Sequence, residues 1–560
     1  MKKTLCIVLI TAMLLALMPL AVFADTPVGT AIDSADALKD MSSTGTYYLS
    51  EDITIEGEWS YTKFNGTLDG NGHTITFKNA TVYGGLFEQF GKGTIKNLNI
   101  AQSGTTTWNK AKTTDNANNA GIGGLVAVVK EGDVLIENVT VNVQINVTVS
   151  GCRVGGIVGS AGYTDSLIFR NCVFAGSVVN NTTAGPDSFA GGILGGTWSK
   201  NVSLTFEKCI NYGTVTGWEV TGGILGYTDT TDNNYATVSL TIKECINYGQ
   251  VTSNADTSVG GIVGQHRIIT GNAGTGKAQI VNCINYGSVH GHRKNDPTLG
   301  DVCVGGIGGR ITADKMNLDS NSKFSGNISY GTLEDNHNPT DGANKISPIF
   351  ANVYGQNNGT VNNAEYAHNY YAGSATPTSN ATITGVAIED AAATVEALNA
   401  VYPGMYSLLP NGKITLTWAK EAGYADATPT ELDAVLVGAQ LSGKATDETR
   451  NIRFVGGINT IEGLTNVGVL IIAKDAEGNQ LKVFEGMTET VYKSIYADDE
   501  EVYATEYNKT YFFTAVVNNV PTDLGEVTFE VRTFQLAEDG TVVYGNAQTA
   551  VIDLEYTPEA

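Results

Sequence analysis

The chain has 560 residues, 57 acidic and 33 basic side chains, a net charge of −24, and 66 glycines against 12 prolines. That length allows more than one domain. So acidic a surface is repelled by nucleic acid and by anionic membrane, which excludes both as partners and leaves solubility as the simplest reading of the charge. The last 130 residues carry 22 acids and 8 bases, so the excess is steepest there.

In chain order, Met1 to Ala24 reads as a secretory signal peptide. Lys2 and Lys3 precede an apolar run from Leu5 to Leu20, and Val22-Phe23-Ala24 offers a small-residue cleavage site. Beyond it no stretch approaches the roughly 20 apolar residues of a membrane span. The expected location is therefore secreted or cell-surface, with no membrane insertion after cleavage. Residues 33–41 predict a short helix with Ser34 as its cap and Leu38 and Met41 on one face. Within the segment 25–45 it serves to cover the first open edge of the β-structure that follows.

From Thr46 to about residue 420 the sequence repeats. Cys172, Cys209, Cys245 and Cys283 stand 37, 36 and 38 residues apart, and the last three each open the phrase Cys-Ile-Asn-Tyr-Gly-X-Val. Between them recurs a Gly-Gly-Ile/Leu-Val/Leu-Gly phrase, starting at Gly155, Gly191, Gly222, Gly260 and Gly305. A fixed period implies one unit stacked on itself. Each unit holds three short strands, so the architecture expected is all-β: a right-handed parallel β-helix of about ten turns, on the order of 45 to 50 Å long at the spacing of hydrogen-bonded strands. Polar stretches such as 228–234 and 270–276 are surplus to a turn and should loop out on one side.

Alternation along a strand fixes the facing of each column. Leu98 and Ile100, then Val139, Val141 and Val143, are apolar between polar neighbours. The cysteines share the inward column of Leu98 and Val139. Asn211, Asn247 and Asn285 share that of Ile100 and Val141, where stacked amides can satisfy backbone groups. Stacked in-register cysteines point in parallel, leaving their Cβ atoms near the strand spacing rather than the roughly 3.8 Å a disulfide requires. They are expected as a ladder of buried thiols. Tyr212, Tyr248, Tyr286 and Tyr330 then face outward as an aromatic strip, the candidate ligand-binding residues.

Other chemistry is thin. Gly271 to Ala278 nearly spells a phosphate-binding loop, but Ala278 stands where a metal-binding hydroxyl belongs and no helical pattern follows. Asp69, Glu207 and Glu244 are scattered, Arg267, Arg293 and Arg310 lack acid clusters nearby, and the six histidines miss metal-ligand spacing, though His290 and His292 share a strand face. No catalytic residue, metal site or cofactor is expected. Asp498 to Glu501 could hold calcium or simply form an exposed loop. After a polar linker at 421–432, strand-like runs at short spacing, with an Asp539-Gly540 turn, predict an antiparallel β-sandwich over 433–560.

The glycine phrase and the Cys-Ile-Asn-Tyr-Gly phrase together resemble the GLUG-type repeats of bacterial surface and secreted proteins. Gly66-Thr-Leu-Asp-Gly-Asn-Gly-His-Thr-Ile75 resembles the first turn of pectin-lyase-like β-helices. Ile452-Arg-Phe454, Val491 to Ile495 and Val543-Tyr-Gly545 look like a domain found at the ends of exported proteins of Gram-positive anaerobes. These resemblances imply architecture and address, and they carry no catalytic residue onto this chain. The function expected is a non-catalytic, adhesin-like binding protein for an extracellular glycan or surface protein; the alternative is a polysaccharide-degrading lyase or hydrolase.

Overall fold

The computed structural model describes residues 27–424, apart from short stretches that fall mostly in the inserts, and the strand segments of the C-terminal part, 435–442, 449–458, 464–474, 491–493, 511–524, 526–537, 542–544 and 548–554. The signal peptide and most of the linker lie outside the described residues. The chain divides into two compact units, Met1–Ala425 and Asp426–Ala560.

Three sheets of 27, 6 and 7 strands build the first unit, and every named strand pair from Thr30 to Ala387 is parallel. One inward column can be followed through Tyr47, Leu68, Ile95, Ile136, Phe169, Phe206, Ile242, Ile280, Phe324 and Tyr366. These are ten layers of a parallel coil, and at the spacing of paired strands they span on the order of 45 Å. Stacking like on like fills the interior: the Phe169 and Phe206 rings lie 5.0 Å apart and nearly parallel, and Tyr366 stacks on Phe324 at 5.3 Å.

Two corners explain why the repeat reads as it does. At the glycine phrase successive layers approach so closely that no Cβ fits. One placed on Gly223 would lie 2.1 Å from the Gly261 carbonyl oxygen and 2.5 Å from the Asn247 amide carbon. Gly156, Gly192 and Gly261 meet the same crowding from Phe174, Asn211 and Asn285. The glycine phrase and the asparagine of the cysteine phrase are two halves of one contact. The second corner, just before each cysteine, is left-handed: Asn97, Asn138, Asn171, Lys208, Glu244 and Asn282 all have φ between 50° and 56°. Asparagine tolerates this conformation best among non-glycine residues. Its amides also chain together here, from Asn171 to Asn138 at 3.1 Å and from Asn138 to Asn97 at 3.0 Å. Glu244 has no such compensation, so Glu244→Asn is expected to stabilise the coil by about 0.5–1 kcal/mol, read as a rise in urea midpoint at unchanged slope.

The N-terminal end matches its sequence. A helix over Ala35–Lys39 is capped by Ser34, whose Oγ accepts from the Ala37 N–H at 3.3 Å, and Leu38 and Met41 are buried in the main core. The far end differs from expectation. Parallel pairing stops at Val386–Ala387, and Ile383 crosses antiparallel to Phe350, which blunts the last edge. Residues 388–420, read in the sequence as the atypical last part of the coil with a short helix at 395–400, leave it, and the helix is longer than that reading. A helix Ala391–Val401 capped by Asp390, a hairpin of Tyr406–Leu408 with Ile414–Leu416, and a helix Thr417–Glu421 fold back along the coil's outer wall as a strap.

In the second unit, Val435–Ser442, Thr449–Ile458, Tyr511–Pro521 and Val491–Lys493 form one antiparallel sheet, and Leu464–Lys474, Glu526–Ala537, Val542–Tyr544 and Gln548–Asp553 another. The expected Asp539-Gly540 turn and the Asp498–Glu501 run lie outside the described residues.

Candidate functional site

The outward tyrosines stack as the column spacing requires. Tyr212, Tyr248, Tyr286 and Tyr330 follow one another at centroid distances of 4.9, 4.8 and 5.2 Å, with ring planes within 7°. As an open glycan platform, however, they need correction on two counts. Stacked rings spend their faces on each other and turn only edges outward, whereas a sugar packs on a ring face. The strap also covers those edges. The Tyr212 and Tyr248 hydroxyls donate to the Tyr424 carbonyl at 2.9 and 3.3 Å, Tyr286 donates to the Ile414 carbonyl at 2.6 Å, and the Ile414 N–H donates to Tyr330 Oη at 2.7 Å. Burial pushes the Tyr212 and Tyr286 phenols up and Tyr330 to about 12, so all remain neutral donors or acceptors across the physiological range.

The cover was legible in a column the sequence reading passed over. Val173, Ile210, Ile246, Ile284 and Ile328 alternate with the inward cysteines and asparagines and so point outward, yet they are buried together with strap residues Leu398, Tyr406 and Ile414. Two adjacent outward apolar columns on a coil call for a covering segment. Tyr286→Phe leaves the Ile414 carbonyl without its donor and is expected to loosen the strap by about 1–2 kcal/mol. Hydrogen exchange at residues 411–417 should quicken by about tenfold while the coil's layers stay protected.

The repeated polar residues are likewise used internally. Asn211 Nδ2 donates to Asn247 Oδ1 at 2.7 Å and Asn247 to Asn285 at 2.8 Å, while each amide also donates to the carbonyl of the glycine two residues on. All six described cysteines are fully buried thiols outside any disulfide. Cys172 Sγ donates to the Ile136 carbonyl at 3.3 Å, and burial pushes Cys172 and Cys245 well up and Cys152 to about 12. Buried thiols of this kind are unreactive. Thiol reagents are expected to label none of the six in the native protein and all of them in denaturant. A two-hydrogen mass deficit joining Cys209 to Cys245 would overturn the ladder.

Of the acids and bases weighed for catalysis, Asp69, Glu207, Glu244 and Arg267 are paired with opposite charges, Arg310 donates to Cys303 Sγ at 3.6 Å, and Arg293 lies outside the described residues. Asp69, Lys96, Glu137, Arg170, Glu207 and Lys243 form one outward column of alternating sign, with Arg170 at 2.9 Å from Glu137 and 3.3 Å from Glu207, and Lys243 at 2.8 Å from Glu207. Burial raises the Glu207 carboxyl, but its hydrogen bonds to Lys243 and Arg170 outweigh that and hold it below the usual range. Glu244 lies 3.9 Å from Lys208 at the left-handed corner. Arg267, expected without an acid cluster nearby, is paired with the single buried Asp314 at 2.9 Å, brought beside it by the next layer. Of the near phosphate-binding loop, residues 270–274 lie outside the described set, and Lys277 and Ala278 sit on the strand Thr275–Val281, with Ala278 inward. Among the described residues no group of three His, Cys, Asp or Glu side chains is placed to hold a metal ion.

No family model matches the chain, and no curated protein matches it. Among solved structures, one titled a “putative immunoglobulin A1 protease” from Bacteroides ovatus aligns over 70% of this chain and 95% of its own, at 17% identity and a TM-score of 0.31. A likeness of that depth carries no argument about activity.

Proposed function

We propose that this is an exported, non-catalytic binding protein, secreted or held at the bacterial surface, in which a right-handed parallel β-helix displays adhesin-like recognition surfaces. One observation carries the reading: the glycine, asparagine, cysteine and tyrosine columns that mark the repeat are consumed by the coil and its strap. Glycine meets asparagine, cysteine meets cysteine, tyrosine meets the strap. What differs from layer to layer is the inserts, and those after Thr197, Asp229 and Ile269 leave from the same edge of the coil: the strands that end there pair with one another in succession, their ends falling within two residues of register. A rigid stack that holds variable segments at fixed spacing suits display.

The GLUG-type resemblance and the signal-peptide pattern support the same address. In the second unit, Phe454 of one sheet meets Phe529 of the other at 5.4 Å, among buried Ile452, Val527 and Val531, which supports the β-sandwich reading. The test is a glycan and surface-protein array with the purified chain, run beside a polysaccharide-cleavage screen. Saturable binding without product is expected. Release of reducing or unsaturated ends would replace this reading with the polysaccharide-degrading enzyme.

A further inference from the structure

The strap does not run on from the end of the coil. It returns along the wall, against the direction in which the layers climb. At the far end the Ile388 N–H donates to the Tyr371 carbonyl at 2.8 Å. One layer back, Tyr402 Oη lies 3.0 Å from Ser325 Oγ, and Tyr406 donates to Asn282 Oδ1 at 2.9 Å. Ile414 then meets Tyr330 and Tyr286. Trp418 lies against Lys208, whose Nζ is 5.7 Å from the ring centre, and the Tyr424 carbonyl takes the Tyr248 and Tyr212 hydroxyls. The strap therefore ends about four layers back from where it began, on the order of 19 Å along the axis. Its hold also differs in kind from that within the coil. Adjacent layers are joined by backbone ladders in three sheets. Among the described residues, the strap's hairpin pairs only with itself. Side-chain hydrogen bonds and packing on Ile210, Ile246 and Ile284 hold the strap, and Trp418 Nε1 is buried without a hydrogen-bond partner.

We propose that the strap is a load-released latch: when the chain is pulled from its two ends, the strap unzips from Tyr424 toward Ile388 before the layers of the coil open. The return direction decides the mode. Load entering from the C-terminal side reaches the first unit at Tyr424. Tension between the chain's ends draws Tyr424 away from the coil's start, back over the strap itself. The contacts are then loaded one after another, Tyr212 and Tyr248 first, Trp418 on Lys208 next, then Tyr286 and Tyr330, with Tyr406 and Tyr402 behind them. Forced opening is governed by the barrier to unfolding, and a barrier met one contact at a time is lower than one in which all contacts share the load. Contacts with few backbone hydrogen bonds also sit at the low end of local stability. Opening releases about 13 nm of chain, residues 388–424 at roughly 3.6 Å each. It bares the tyrosine and isoleucine columns while the layers beneath stay stacked.

The test is single-molecule pulling of the full chain in two geometries. One handle stays on the C-terminus. The other is attached through Glu51→Cys, in an exposed bend near the coil's start, or through Val386→Cys, an exposed side chain at its far end. The native thiols of the coil are buried and take no handle. The second unit is in series in both geometries, so its own longer step serves as an internal force reference. With the Glu51 handle, the first lengthening outside the second unit is expected to be the release of about 13 nm, recovered on relaxation. With the Val386 handle the strap is drawn lengthwise, and the same release should shift to higher force. Tyr212→Phe combined with Tyr248→Phe removes both donors to the Tyr424 carbonyl. It should lower the release force in the Glu51 geometry, with the coil's layers still protected from hydrogen exchange. Lengthening of the coil ahead of the strap, or equal release forces in the two geometries, would overturn the latch and leave the binding-protein reading in place. Product in the cleavage screen would remove that reading and leave the latch.

Discussion

Gly223→Ala is expected to break the middle of the coil, at a cost of about 3 kcal/mol or more. The backbone at Gly223 is not in the left-handed region, so alanine meets no conformational penalty there. Its Cβ would lie 2.1 Å from the Gly261 carbonyl oxygen and 2.5 Å from the Asn247 amide carbon. Neither can retreat. Gly261 is hydrogen-bonded to the next layer through its N–H at 3.1 Å, and Asn247 is tied to Asn211, Asn285 and Gly249. The layers must therefore separate, and a stack whose stability rests on nearest-neighbour contacts loses both at once. Gly404→Ala is the control: its φ is +70°, nothing lies within 4 Å, and the cost should stay near 1 kcal/mol of backbone strain. Comparable urea midpoints for the two variants would show that close approach does not set the glycine phrase.

The second large effect is acid sensitivity centred on His266. Its side chain is fully buried inside the coil and neither ring nitrogen has a hydrogen-bond partner. In register it follows Thr228 and precedes Ile311. Burial pushes its pKa down to about 3. The unfolded chain then binds a proton that the folded chain refuses. The stability tied to the neutral ring is fully present above the unfolded value of about 6.5, and it is lost as pH falls from there through the folded value near 3, by about 5 kcal/mol in all. His266→Ile copies the residue one layer on. It is expected to remove the unpaired nitrogens, raise stability at pH 7 by about 1–3 kcal/mol and flatten the decline between pH 6.5 and 4.5. Urea melts of both proteins at pH 7 and pH 4.5 measure the difference. Parallel declines would show that His266 is not the group responsible.

How much could be read in advance depended on what each residue meets. Cys209 faces its own copies, so its column, its burial and its lack of a disulfide follow from period and alternation alone. Asn247 is similar, because its partners are the same residue one layer away. The left-handed corner at Asn97, Asn138 and Asn171 was visible as recurring asparagines but went unread, since Lys208 and Glu244 interrupt the pattern. Tyr286 was read correctly as outward and incorrectly as open. What covers it, Ile414, lies 128 residues away in a segment with no repeat of its own.

The sequence by itself determined the stacked architecture, the inward cysteines and asparagines, the N-terminal helix and the strand-rich C-terminal unit. Each follows from local alternation repeated at a fixed interval, which needs no knowledge of distant chain. Only the tertiary structure decided that the tyrosine strip is a docking site for the chain's own strap and that Arg170 and Arg267 are paired across layers. Those outcomes depend on which segment, repeating or not, lies against which wall. A period carries no information about that, because contacts between unlike segments leave no recurring mark in the sequence.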